Sequence, residues 1–521
     1  MLTFVNSADK IAALRLQEFL SGRGPWYRSL WGIGVTLAME ELYEACAAMR
    51  HGHLSEASIK RMNSSLQKRV GLDPAFTEPE RAFLRQQIQQ VPRADGAAHF
   101  AIRELSDRVA SDYLTRWGRA VADGNFTVER FARSTAAYLL DAGFSGQYLH
   151  DFIKNLLDAA EPISLPELCD VLQSEMRASP PRVFHVLLAF SSIPELINGV
   201  PSTWLQGPAV TEWLTENGFD TSGVRSPVAM VLQVQARDPI GAAKAAREES
   251  DRYAARALIA TGKPLHRVPM LWVQGTTAPA QIEEASRGVS VKELFREDRV
   301  FAADASQSVD AALELLSHLE GSSPAAAIAG GWAAIEGLLA DPNDRATAAD
   351  NLAALVACSF PRAELTALSY RAQRDHAEQC GDLEGLTVNR QRSRVLAQMI
   401  LEGRLPEMSA VADQAAVARL RKLLSNPAPE LQTIREAIGE SFHRLYRQRN
   451  LILHGGRLDS VALTASLRTV SKLAGAGMDR ITHGHYVQRL KPLELVAKAN
   501  LGLTLLDRDS PLGCIDLLEI S

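Results

Sequence analysis

Between residues 429 and 454 the apolar side chains Leu431, Ile434, Ile438, Phe442 and Leu445 return every three or four positions. That spacing lines one face of an α-helix. The run ends in Gly455-Gly456, and glycine just past a helix commonly supplies the left-handed turn that closes it. A helix this long draws most of its stability from the neighbours that cover its apolar face, so this part of the chain is committed to a helical bundle.

The first ~200 residues repeat the theme. In 33–49, Leu37, Met39, Leu42, Tyr43 and Cys46 share a broad face. Pro79 stands near the start of another helix, where its missing N–H costs little. Further helical stretches are expected at 97–123, 126–142, 146–160 and 164–178, broken by Gly124-Asn125 and Gly143. The pattern resumes after about Ser306, at 309–319, 325–339, 350–357 and 411–424.

The character changes near Pro201. Residues 228–234, Val-Ala-Met-Val-Leu-Gln-Val, are short and dense in β-formers and predict a buried strand. A helix-like run, 239–261, follows. A second strand-like run at 268–273 carries Pro269, which predicts an edge strand. Strand, helix, strand reads as a small α/β segment. The expected fold class is therefore mainly α, a multi-domain helical protein. Its expected parts are a helical N-terminal region (1–205), the small α/β middle (206–305) and a C-terminal helical bundle (306–521).

At 521 residues the chain exceeds one core. A formal net charge of -5 excludes a protein that coats nucleic acid by bulk charge. The five cysteines are odd in number, widely spaced and without a CxxC pair, which predicts no disulfide framework and a reducing, cytoplasmic setting. The N-terminus turns polar too soon for a secretory signal. No apolar run approaches the roughly 18 residues that span a bilayer, so no membrane partner is expected. His51 and His53 flank Gly52, and His483 stands near His485, but neither pair has a carboxylate or cysteine pattern beside it. They read as loop histidines, and no metal or cofactor is expected. Arg390, Arg392 and Arg394 read as an exposed charged turn. Phosphate-binding loops, dinucleotide fingerprints and nucleophile elbows are missing from the sequence.

One segment carries chemistry. An arginine followed by a histidine after four to six residues is common here, since four of the 12 histidines satisfy it. Around His454 the setting is more particular. Asn450 directly follows Arg449, three aliphatic residues come next, and the glycine pair follows the histidine. From Ser441 to Arg457 there are four arginines and no acid, a local field suited to a phosphodiester. An imidazole moves protons near neutral pH, and a guanidinium is a permanent forked cation. Arg449 and Asn450 would hold and orient phosphate, and His454 would act as general acid or base. Arg444, Arg447 and Arg457 are candidates for contacts with RNA. Residues five apart differ by about 140° around a helix, whereas Asn450 and His454 differ by about 40°. Arg449 and His454 are therefore expected to need either a helix break or a second chain.

Tyr446-Arg447-Gln448-Arg449-Asn450-Leu451-Ile452-Leu453-His454-Gly455-Gly456 resembles the catalytic segment of the HEPN superfamily, in particular its ApeA-like branch. Upstream, Gly331-Trp332-Ala333-Ala334-Ile335-Glu336-Gly337-Leu338-Leu339 resembles the first helix of such domains. The resemblance covers about 306–521. It implies a metal-independent endoribonuclease that leaves a 2′,3′-cyclic phosphate, with RNA as substrate and a homodimer through this helix. It also implies a toxin, abortive-infection or antiphage role, with a phage-derived trigger or regulatory partner acting on the N-terminal region. The competing reading of the same residues is a silent HEPN-like scaffold that binds nucleic acid or a partner protein.

Overall fold

A computed structural model describes residues 7–158, 163–192, 203–222, 224, 228–282, 286–304, 306–506 and 510–519. The change of character at Pro201 and the first six residues lie outside this set. Among the described residues the chain is 66% helix, in 20 α-helices, with one five-stranded antiparallel sheet in the middle region. The expected fold class is therefore the observed one.

The chain divides into two compact units, and they do not follow the boundaries at 205 and 305. One unit combines Met1–Tyr138, Ala159–Asp170 and Ser286–Ser521; the other combines Leu139–Asp158 with Val171–Ala285.

In the second unit the sheet runs β2-β3-β1-β4-β5, with β1 Arg182–Phe190, β2 Trp204–Gln206, β3 Val228–Ala236, β4 Arg267–Val273 and β5 Ala280–Gln281. β3 and β4 both pair antiparallel with β1. The strand–helix–strand unit thus straddles a strand that the sequence reading took as part of a helical region. Alternation sorts the side chains of β1. Phe184, Val186, Leu188 and Phe190 share a cluster with Ala242 and Ala246 of helix Pro239–Thr261, while Leu187 and Ala189 join Val210, Leu214 and Trp272 on the opposite face. The helix starts at Asp238, whose buried carboxylate accepts from Gly241 N (2.8 Å) and Ser145 N (2.8 Å). Pro269 does not make β4 an edge. Pairing with β1 steps from Leu188↔Leu271 to Phe190↔Arg267, so the irregularity spans the residue that cannot donate to the ladder.

The first unit is helical and owes its unity to one apolar cluster. Trp31, from the N-terminal part, lies in the same cluster as Trp332, Leu352, Phe360, Phe442 and Leu445. Helix Thr347–Asp375 is long and apolar enough to cross a membrane by length and composition, and 72% of that window is buried within the fold. Its fully buried Glu364 accepts from Arg28 Nε (3.2 Å) and Arg419 Nη2 (2.6 Å). Arg28 also meets Asp413 at 2.8 Å. Buried charges survive when they are paired, and these pairs bind the N-terminal helices to the C-terminal ones.

The charged turn expected at 390–394 is instead the start of helix Asn389–Leu401. Arg392 is buried and donates to the carbonyls of Leu383 (3.0 Å) and Leu386 (2.9 Å) and to Gln373 Oε1 (2.7 Å). Arg390 and Arg394 both pair with Asp516. Each arginine is consumed by a partner within the fold.

Candidate functional site

Helix Pro427–Gly455 carries the motif and is held by the face the periodicity foretold, with Leu431, Ile438, Phe442 and Leu445 fully buried and Ile434 packed, partly buried, against the same cluster. Its polar residues are fixed by helix Val35–Arg50, which presents the buried carboxylates Glu41 and Glu44 one turn apart. Glu41 accepts from Arg444 Nε and Arg447 Nε, both at 3.0 Å, and Glu440 accepts from Arg447 Nη2 at 2.8 Å. Burial favours the neutral form of Glu440, but Arg447 and Arg444 outweigh it and hold the carboxyl below its usual range. Further along, Glu44 accepts from Arg457 Nη2 (2.8 Å) and Ser460 Oγ (2.6 Å).

These pairs revise part of the sequence reading. Arg444 and Arg447, expected to meet RNA, are buried with their charge spent on carboxylates. Arg457, partly exposed, is shared between Glu44 and Asp459. The acid-free segment 441–457 is not an acid-free environment, because Glu440 and Asp459 flank it and Glu41 and Glu44 arrive from a helix some four hundred positions away in sequence.

Arg449 behaves differently. Among the described residues its guanidinium meets no carboxylate, and its Nη1 donates to Asn450 Oδ1 (3.0 Å) and His454 Nε2 (3.1 Å). The three motif residues therefore meet within one chain. The angular objection fails because the arginine side chain is long enough to reach along the helix. No second chain is needed to bring Arg449 to His454.

The meeting point opens into a cleft of about 520 Å³. Tyr446, Arg449, Asn450 and His454 line it from the motif helix. Gly52, His53, Leu54 and Ser55 line it from the N-terminal part, and Arg345 from the loop after Leu339. The upstream stretch of the resemblance also reaches the site. Trp332 is fully buried and lies tilted against Tyr446, ring centroids 4.7 Å apart. Its Nε1 donates to Glu336, which also binds Arg345. Glu336 thus anchors a cationic side chain at the rim.

His53, read from the sequence as a loop histidine, lines this cleft. Helix Val35–Arg50 ends with Gly52 at φ +76°, where Gly52 N donates to Met49 O (2.9 Å) and His53 N to Ala48 O (3.0 Å). Those two bonds form a Schellman closure that fixes the His53 backbone. A methyl group at Gly455 would lie 2.9 Å from His53 Nδ1 and 3.2 Å from Cε1, so glycine there makes room for the imidazole. The two glycines therefore differ in role: Gly456, at φ +62°, caps the helix, and Gly455 admits a neighbour. The only local signal for His53 was the helix-ending Gly52. Arg345 had none.

Among the described residues, no group of three or more His, Cys, Asp or Glu side chains is placed to hold a metal ion. Comparison with family models, curated proteins and solved structures finds no match.

Proposed function

We propose that this cleft is the active site of a metal-independent endoribonuclease of the HEPN type. The observation that carries the reading is the convergence of Arg449, Asn450 and His454 on one open cleft, with Arg449 the arginine that buried carboxylates leave alone. Arginine only donates hydrogen bonds, so in this contact His454 Nε2 is the acceptor. When a phosphodiester enters, Arg449 exchanges the imidazole for a phosphate oxygen. The freed nitrogen then takes the 2′-hydroxyl proton. The 2′-oxygen bonds to phosphorus, the P–O5′ bond breaks, and the 5′-oxygen takes up a proton. The products are a 2′,3′-cyclic phosphate and a 5′-hydroxyl. Fixed guanidinium charge from Arg449 and Asn450 beside it stabilise the phosphorane-like transition state.

The setting proposed with this activity is a cytoplasmic toxin or antiphage effector, restrained until a trigger acts. The five buried free thiols are consistent with a reducing compartment. A homodimer is part of the proposal. It rests on the resemblance and on Leu453, 54% exposed on the motif helix, and sedimentation at micromolar concentration tests it: a purely monomeric active enzyme removes it. For the activity, the full chain is incubated with total RNA in EDTA and the cut ends are mapped. Wild type is expected to leave cyclic phosphate ends and His454→Ala to leave RNA intact. If wild type is inert, in the tube and in phage-challenged cells, the scaffold reading replaces this one.

A further inference from the structure

Transesterification moves two protons on opposite sides of phosphorus, one from the attacking 2′-oxygen and one to the departing 5′-oxygen. A single imidazole at His454 serves one of them in a given step. We propose that His53 is the second proton-transfer group, protonating the 5′-oxygen as the P–O5′ bond breaks. This rests on the ribonuclease reading above.

Three observations support the assignment. His53 lines the same cleft as Arg449 and His454. Its backbone is fixed by the closure at Gly52, and its ring occupies the space left by the missing side chain of Gly455. Its buried Nδ1 meets no hydrogen-bonding partner among the described residues, so no structural bond accounts for a histidine here. The two buried carboxylates, Glu41 and Glu44, clamp the helix that ends in this turn onto the motif helix. In the balanced step His454 gains the 2′-hydroxyl proton and imidazolium His53 loses one to the 5′-oxygen. Exchange with water then resets both rings. The site so defined takes a phosphodiester with a vicinal 2′-hydroxyl and a poor, alkoxide leaving group.

The test compares two substrates in EDTA, a dinucleoside monophosphate and a uridine 3′-aryl phosphate whose p-nitrophenolate leaves without a proton. His53→Gln is expected to slow the dinucleotide by about 100-fold or more and the aryl ester by less than about tenfold. His454→Gln is expected to slow both alike. Gly455→Ala, which displaces the His53 ring, is expected to show the selective pattern of His53→Gln, with melting temperatures tracked for every variant. Should His53→Gln melt early, His53→Asn is read in its place. Equal loss on both substrates, or wild-type rates on both, overturns the role of His53 while leaving the ribonuclease reading standing. A wild type inert on both overturns the two together.

Discussion

Arg447 and Arg449 stand two residues apart on one helix and do different work. Arg447 is buried, with Glu41 and Glu440 taking its hydrogen bonds. Arg449 faces an open cleft and spends its hydrogen bonds on Asn450 and His454. The same side chain makes one turn of the helix a clamp and the next a site. What separates them is the reach of helix Val35–Arg50. Its carboxylates cover Arg444 and Arg447, and then its chain turns at Gly52 and presents His53 instead of another acid. An ion pair fully removed from water is costly to break, whereas a partly exposed guanidinium that meets no carboxylate is free to take an anion.

The sharpest way to break this comparison is to truncate both arginines. Arg449→Ala is expected to lower RNA cleavage by about 10²- to 10⁴-fold and to leave the melting temperature close to wild type. Arg447→Ala is expected to leave Glu41 and Glu440 with Arg444 as their one shared cation and to destabilise the fold by about 3–5 kcal/mol. Chemical denaturation and an RNA-cleavage assay on each purified variant decide it. If Arg449→Ala melts early and Arg447→Ala does not, the assignment of clamp and site is reversed. Glu41→Ala is expected to match Arg447→Ala or exceed it, since it leaves two buried guanidinium groups to share the single carboxylate of Glu440.

How far the sequence disclosed this division depends on the range of the interactions involved. The motif helix, its buried face and its glycine cap were legible because helical periodicity and capping are local. So was helix Pro239–Thr261, read to the residue. Strand β1 was not, because Arg182–Phe190 follows a helix and its alternation is hidden by burial on both faces. Arg444 and Arg447 were placed on the surface because the segment holds no acid; Glu440 lies one residue outside it, and Glu41, which takes a hydrogen bond from each, lies about four hundred positions upstream. The same distance hid the place of His53, read as a loop histidine, in the cleft of Arg449 and His454. Pairings across such separations leave no periodic or compositional trace in one sequence.

The clamp also carries a pH signature. The Glu440 carboxyl lies below its ordinary value of 4.5 in the fold, because Arg447 and Arg444 outweigh the burial that would raise it. As pH falls, the unfolded chain therefore takes up this proton first. The stability Glu440 contributes is present above about pH 4.5 and is lost as pH falls through the lowered value. Urea unfolding between pH 3 and 6 is expected to show wild type weakening in acid and Glu440→Gln weakening less steeply. Parallel acid limbs for the two proteins would show that Glu440 does not share in the clamp's charge.

The smallest effect is expected at the residue between the two regimes. Gln448 separates Arg447 from Arg449, is fully buried, and neither Oε1 nor Nε2 has a hydrogen-bonding partner among the described residues. A buried amide left in this way costs free energy that an apolar side chain of the same length avoids. Gln448→Met keeps the volume and removes both unmet groups, so it is expected to stabilise the fold by about 1 kcal/mol. RNA cleavage is expected to stay unchanged, because the side chain is fully buried and does not line the cleft. Stabilisation without loss of cleavage would place the border between clamp and site at this residue, with Gln448 on the structural side. A loss of stability would show that the amide is engaged within the fold, and a loss of cleavage would extend the site one residue into the clamp.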